Sequence, residues 1–178
     1  MKNKLEELCG QAIKLGAADA RVIESKNIVV KNSVRWGCRF GCEDYGKSLM
    51  CPPYSPTPEE TQALLREYEY ALLVRKKTSS DIRKKTSSDD LHKLILDLEH
   101  YAFLQGFYSA LGFKAGRCRL CEKCDVERGL CVYPKQARPS MEGCGVDVFL
   151  TARNAGYEME ILTNKEQEYY IYGLLLIK

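Results

Sequence analysis

Between residues 117 and 147 the chain carries Cys118, Cys121 and Cys124 at two-residue intervals, followed by Cys131 and Cys144. Three thiols spaced this way lie on one tight loop, where they converge on a single inorganic centre while neighbouring amides point at its sulfur atoms. The rest of the chain then reads as scaffold for that loop.

A second block lies upstream. Residues 36–46 hold Cys38 and Cys42, each beside a glycine, with Trp36, Phe40 and Tyr45 interleaved, so a regular helix is not expected there. Cys51 is followed by Pro52 and Pro53, which remove an amide and restrict the backbone around the thiol. A cysteine followed by proline also closes the bacterial ferredoxin motif.

The chain has nine cysteines in 178 residues. Its charged N-terminal stretch has no apolar core of the kind a secretory signal needs. The longest apolar run, 169–177, is interrupted by Gly173 and falls far short of the roughly 20 residues that span a bilayer. A cytoplasmic protein with no membrane partner is expected, and a reducing cytosol rarely permits a disulfide framework. Formal charge is +3, and it becomes about −1 with eight thiolates around two clusters of core charge 2+. That balance gives no argument for nucleic acid.

A length of 178 residues with 45% hydrophobic and 29% charged residues fits one domain over 1–178, able to bury roughly 70% of its unfolded surface. Residues 5–15 repeat apolar positions at a helical period and end at Gly16. Cys9 falls on that apolar face and reads as core. Short strands are expected at 20–24 and 28–30 around a turn at 25–27. Thr57, Pro58 and Glu60 form a capping-box entrance to a helix running to about Tyr68, and 71–74 suits a buried strand.

The heptad Arg-Lys-Lys-Thr-Ser-Ser-Asp at 75–81 recurs at 83–89. We read 75–89 as a solvated loop lengthened by duplication, because loop length costs little entropy and no aromatic interleaves the charges as a nucleic-acid platform requires. Ser88, Asp89 and Asp90 then cap a long, nearly all-round apolar helix over 91–111. His92 and His100 on it lack a companion at helical spacing and read as satisfied or solvated side chains rather than ligands. Ser140 is expected to cap a helix that carries Cys144 one turn inside its start, where the dipole favours a thiolate. Strands at 158–162 and 169–177 around a polar turn close the chain.

With Cys9 set aside, Cys38, Cys42, Cys51, Cys118, Cys121, Cys124, Cys131 and Cys144 make two sets of four, the count for two [4Fe–4S] clusters or two four-cysteine zinc sites. Structural zinc favours paired Cys-x-x-Cys knuckles; a Cys-x-x-Cys-x-x-Cys run with a remote fourth is the ferredoxin habit, which favours iron–sulfur. Either Cys131 or Cys144 can complete the Cys118 set, leaving the other for the Cys38 set. The nine-residue step from Cys42 to Cys51 departs from the radical S-adenosylmethionine triplet. Phosphate loops, Ser/His pairs and His-Glu-x-x-His motifs are absent. Glu43, Asp44 and Asp147 read as solvated or capping carboxylates.

Residues 36–38, 51–53, the Cys118-x-x-Cys121-x-x-Cys124 run and 137–147 together resemble the family of predicted metal-binding proteins called domain of unknown function 2284. The resemblance implies a metal-binding, iron–sulfur protein of anaerobic microbes and supplies no reaction. The fold expected is α/β or α+β: a mixed sheet of about five strands packed by about four helices, with both cysteine loops at one edge. The function expected is electron transfer to or from a larger oxidoreductase partner, with Trp36, Phe40, Tyr45 and Tyr133 shielding the clusters. The alternatives are a zinc-stabilised adaptor and an enzyme with an open iron site.

Overall fold

Apolar runs without alternation, such as 71–74 and 174–177, are stable in a sheet only when both of its faces are covered. The computed structural model describes residues 1–78, 86–159 and 169–178, and it meets that demand. Along the chain come α1 (Lys2–Lys14), β1 (Asp19–Glu24), α2 (Asn32–Gly41), α3 (Pro58–Leu65), β2 (Tyr70–Lys77), α4 (Thr86–Leu104), β3 (Leu111–Phe113), α5 (Val148–Asn154) and β4 (Tyr170–Ile177). The strands form one sheet in the order β1-β2-β4-β3. Every pairing between them is antiparallel, with Ala71 opposite Leu176 and Leu73 opposite Leu174 at the centre.

Alternation along the central strands divides the core in two. Leu72, Val74, Leu175 and Ile177 pack with Leu5, Leu8 and Ala12 of α1 and Leu91, Leu94, Ile95 and Leu98 of α4. Ala71, Leu73, Leu174 and Leu176 turn to the other face and meet Leu65, Met141, Cys144, Val146 and Ala152. Ile95 seats α4 on the sheet: a Cβ on Gly112 would lie 2.4 Å from its Cγ2, and one on Gly173 would lie 2.8 Å from its Cδ1. Only glycine lets the helix come this close.

The α/β reading with one sheet holds, with differences of detail. Among the described residues the strands number four, all antiparallel, and the helices five, where a mixed sheet of about five strands and four helices was expected. Residues 28–30 supply a single bridge, Val30 to Val146, in place of a strand. Most of the strand expected at 158–162, and its polar turn, lie outside the described residues.

The capping box at Thr57 forms as read, Thr57 accepting from the Glu60 amide at 3.2 Å and Glu60 from the Thr57 amide at 2.7 Å. The α3 helix ends at Leu65, short of Tyr68. The duplicated stretch is more structured than a loop: Arg75, Lys76 and Lys77 belong to β2, and 86–89 open α4, while 79–85 lie outside the described residues. Ser88 therefore sits inside α4 and does not cap it; its hydroxyl donates to the Ala115 carbonyl at 2.9 Å. The helix also stops at Leu104, before a left-handed Gly106, and Phe103, Leu104 and Tyr108 are exposed. Its apolar face is one-sided because only one side meets the sheet.

Candidate metal centre

The edge strand β3 feeds straight into the cysteine loop, and the upstream block folds against the same end. Residues 36–41 depart from expectation here: Trp36, Gly37, Cys38 and Phe40 lie within the regular helix α2. Its glycines at 37 and 41 have open space around them, so they cost only the roughly 1 kcal/mol of a helical glycine. What holds the helix in place is Arg35. Its Nη1 donates to the carbonyls of Ser55 at 3.1 Å and Gly143 at 3.1 Å as well as to that of Pro56, and its Nη2 donates to Pro53 at 3.0 Å. One guanidinium thereby ties α2 to the loop after Cys51 and to the turn that carries Cys144.

That turn is a 3-10 turn over Glu142–Cys144, where an α-helix start was expected. Its N-cap is Met141 and not the expected Ser140, which lies one residue earlier and braces the turn, its Oγ accepting the Gly143 amide at 2.9 Å. A left-handed Gly145 ends it beneath Pro58, and α5 begins only after Asp147, which accepts the Leu150 amide. Cys144 is fully buried. Burial pushes its thiol up to about 12, opposed by a hydrogen bond with Thr61 and by Arg35. The expected dipole activation is overridden, since the short turn offers little field and desolvation dominates.

The downstream loop, 114–137, has no helix or strand of its own. It is held by Lys114, whose amide donates to Pro139 at 3.0 Å and whose carbonyl accepts from Met141 at 2.9 Å. The two blocks touch at several points. Arg117 pairs with Asp44 at 3.2 Å, and the Leu49 amide donates to the Cys124 sulfur at 3.5 Å.

Mutual electrostatics sort the thiols into two neighbourhoods. Burial raises Cys38, and the nearby Cys42 adds to it. Burial lifts Cys51 to about 11, with Cys38 and Cys42 raising it further and a hydrogen bond from the Cys118 amide drawing it down. Cys144 feels Cys51 in the same way. Separately, Cys118 and Cys121 are raised first by burial and then by Cys131 and Cys124. Cys131 thus stands with Cys118, Cys121 and Cys124, and Cys144 with Cys38, Cys42 and Cys51. Cys9 packs against the core between α1 and α4, and no other cysteine is among the groups that shift its thiol.

The second neighbourhood lines a concavity of about 330 Å³ together with Ser48, Leu49 and Met50. A liquid water occupies roughly 30 Å³, so the space admits a many-atom group. Among the described residues, no three His, Cys, Asp or Glu side chains converge closely enough to hold a single metal ion. The cysteine sulfurs lining this concavity fit a thiolate-ligated metal centre.

Two residues essential to this arrangement carried no sequence signal, Arg35 and Lys114, because their partners are carbonyls that any residue provides. Conversely, Trp36 and Phe40 stack on each other at 5.5 Å while standing 60% and 73% exposed, so they form a surface patch and not the expected shield. Tyr133 is also exposed. Asp147 caps α5 and pairs with Lys31 at 3.2 Å, a structural role as read. His92 is buried, with Nε2 2.8 Å from the Gln136 carbonyl, satisfied as expected. Among the described residues no helix is long and apolar enough to cross a membrane.

The family model described as predicted metal-binding protein (DUF2284) matches residues 21–177, so the chain belongs to that family. No curated protein and no solved structure matches it.

Proposed function

We propose that this member of the predicted metal-binding family is an iron–sulfur protein with two [4Fe–4S] clusters, one held by Cys38, Cys42, Cys51 and Cys144, the other by Cys118, Cys121, Cys124 and Cys131. The observation that carries the reading is the division of eight thiols into two neighbouring groups of four, with the Cys118 amide directed at Cys51 and the Leu49 amide at Cys124. Such amide–sulfur bonds stabilise negative charge on sulfur. When bound, the clusters would supply reversible one-electron reduction. The protein's own part is to fix the thiols, exclude water and set the charge around them.

Burial keeps Cys51 and Cys144 protonated in the absence of metal. Assembly therefore releases protons, since a coordinating thiol is deprotonated. Large apolar side chains stand exposed beside both groups, Trp36 and Phe40 next to Cys38, and Leu130 and Val132 next to Cys131. Apolar surface rimmed by charge is the usual mark of a docking face. It supports electron exchange with a protein partner in the cytoplasm.

Anaerobic purification followed by iron, sulfide and zinc analysis tests the proposal. About eight irons and eight sulfides per chain, with a broad visible charge-transfer absorption, are expected. About two zincs and a colourless protein would replace the reading with a zinc-stabilised adaptor.

A further inference from the structure

Lys114 is 0% exposed, and lysine is almost never fully buried unless its charge is answered. Its Nζ donates to three successive carbonyls, Ala115 at 3.0 Å, Gly116 at 3.1 Å and Arg117 at 2.6 Å. Three acceptors use all three N–H bonds of an ammonium, whereas a neutral amine would turn a lone pair toward one of them. The geometry reads as a buried cation: burial lowers its pKa, Cys118 and Cys51 oppose that fall, and the buried Glu142 carboxyl lies within its electrostatic reach. The three carbonyls belong to the residues immediately before Cys118, so the ammonium sets how the chain enters the second cysteine group. The Lys114 backbone bonds to Pro139 and Met141 on the segment that leads to Cys144 in the first group.

The charge also reaches both groups. Lys114 interacts electrostatically with Cys51 and with Cys118, one from each. Arg35, the other cation bound into this region, acts on Cys38 and Cys144 of the first group alone.

We propose that Lys114 is a shared positioning residue that sets the reduction potentials of both metal centres, through one buried ammonium caged by the carbonyls of Ala115, Gly116 and Arg117 between Cys51 and Cys118. This rests on the two-cluster reading above. Reduction adds an electron to each cluster, and a nearby positive charge in a low-dielectric site stabilises the added negative charge. Both potentials are therefore raised by Lys114.

The test is a potentiometric titration, followed by electron paramagnetic resonance, of anaerobically reconstituted full-length wild type, Lys114→Met and Lys114→Arg. Iron and sulfide content is measured first. A wild type without iron–sulfur clusters overturns the reading on which the inference rests, and the inference falls with it. Given loaded wild type, Lys114→Met is expected to move both midpoint potentials downward, with Lys114→Arg keeping them near wild type. Unmoved potentials, or movement of one centre only, overturn the proposal. If Lys114→Met does not load, Lys114→Gln makes the same measurement without charge but with donors to the carbonyls. Failure of both neutral variants with loading of Lys114→Arg assigns Lys114 to cluster assembly and overturns its assignment to the potentials. Failure of all three assigns Lys114 a steric role and sinks the proposal.

Discussion

Arg138 is clamped by Glu99: Nε meets Oε2 at 2.8 Å, Nη2 meets Oε1, and the same Oε2 accepts the Gly112 amide at 2.7 Å. Through this one carboxylate α4 holds both the start of β3 and the segment that leads from the cysteine loop to Ser140. Both side chains are largely withdrawn from solvent, so the pair is stronger than a surface ion pair.

Removing one partner of such a pair leaves a desolvated charge, and Glu99→Ala is expected to destabilise the protein by about 3 kcal/mol. At this chain length that lowers Tm by roughly 6–12 °C. Calorimetry of the variant checks it, and an unchanged Tm would show that the clamp contributes nothing net.

The division of the thiols predicts a pattern of metal loss. Cys144→Ser and Cys131→Ser should each remove about half the iron, from different centres, while Cys9→Ser keeps the full complement. Iron and sulfide assays on the three variants read this directly. Full iron in Cys144→Ser would take that residue out of the ligand set.

Arg35 anchors four carbonyls around the first group and none around the second. Arg35→Ala is expected to lose about half the iron and to keep the signal of the centre formed by Cys118, Cys121, Cys124 and Cys131. Arg35→Lys should recover little of it, because a point-like ammonium cannot serve the four carbonyls that a planar fork reaches. Equal loss from both centres would contradict this division of labour.

His92 makes stability depend on pH. Burial, reinforced by Lys114, holds its pKa below the ordinary 6.5, partly offset by the Gln136 carbonyl. With the folded pKa depressed, the unfolded chain binds the proton more readily as acid is added. The neutral ring's contribution is complete above 6.5 and is lost as pH falls through the folded value. His92→Gln should flatten the slope of stability against pH below 6.5 in denaturant melts, and an unaltered slope would rule His92 out as its source.

Local pattern determined much of this molecule. The 71–74 run announced a buried strand and 169–177 a closing strand, since a strand's burial is written in its own residues. Thr57, Pro58 and Glu60 specified a helix start because a capping box closes within three residues. The spacing of Cys118, Cys121 and Cys124 marked a thiol-rich loop, because a short loop can bring them together by itself. Tertiary structure decided the rest. Cys131 and Cys144 read alike as fourth partners in the sequence, and only in the fold does the Arg35 knot bring the Glu142–Cys144 turn beside Cys51. The α2 helix prevails over its glycines through that same long-range anchor. Lys114 is a cation like any other in the sequence, and only the fold buries it among carbonyls between two groups of thiols. The physical reason is common to all three: their partners are backbone oxygens, or residues tens of positions away, and neither leaves a mark in local composition.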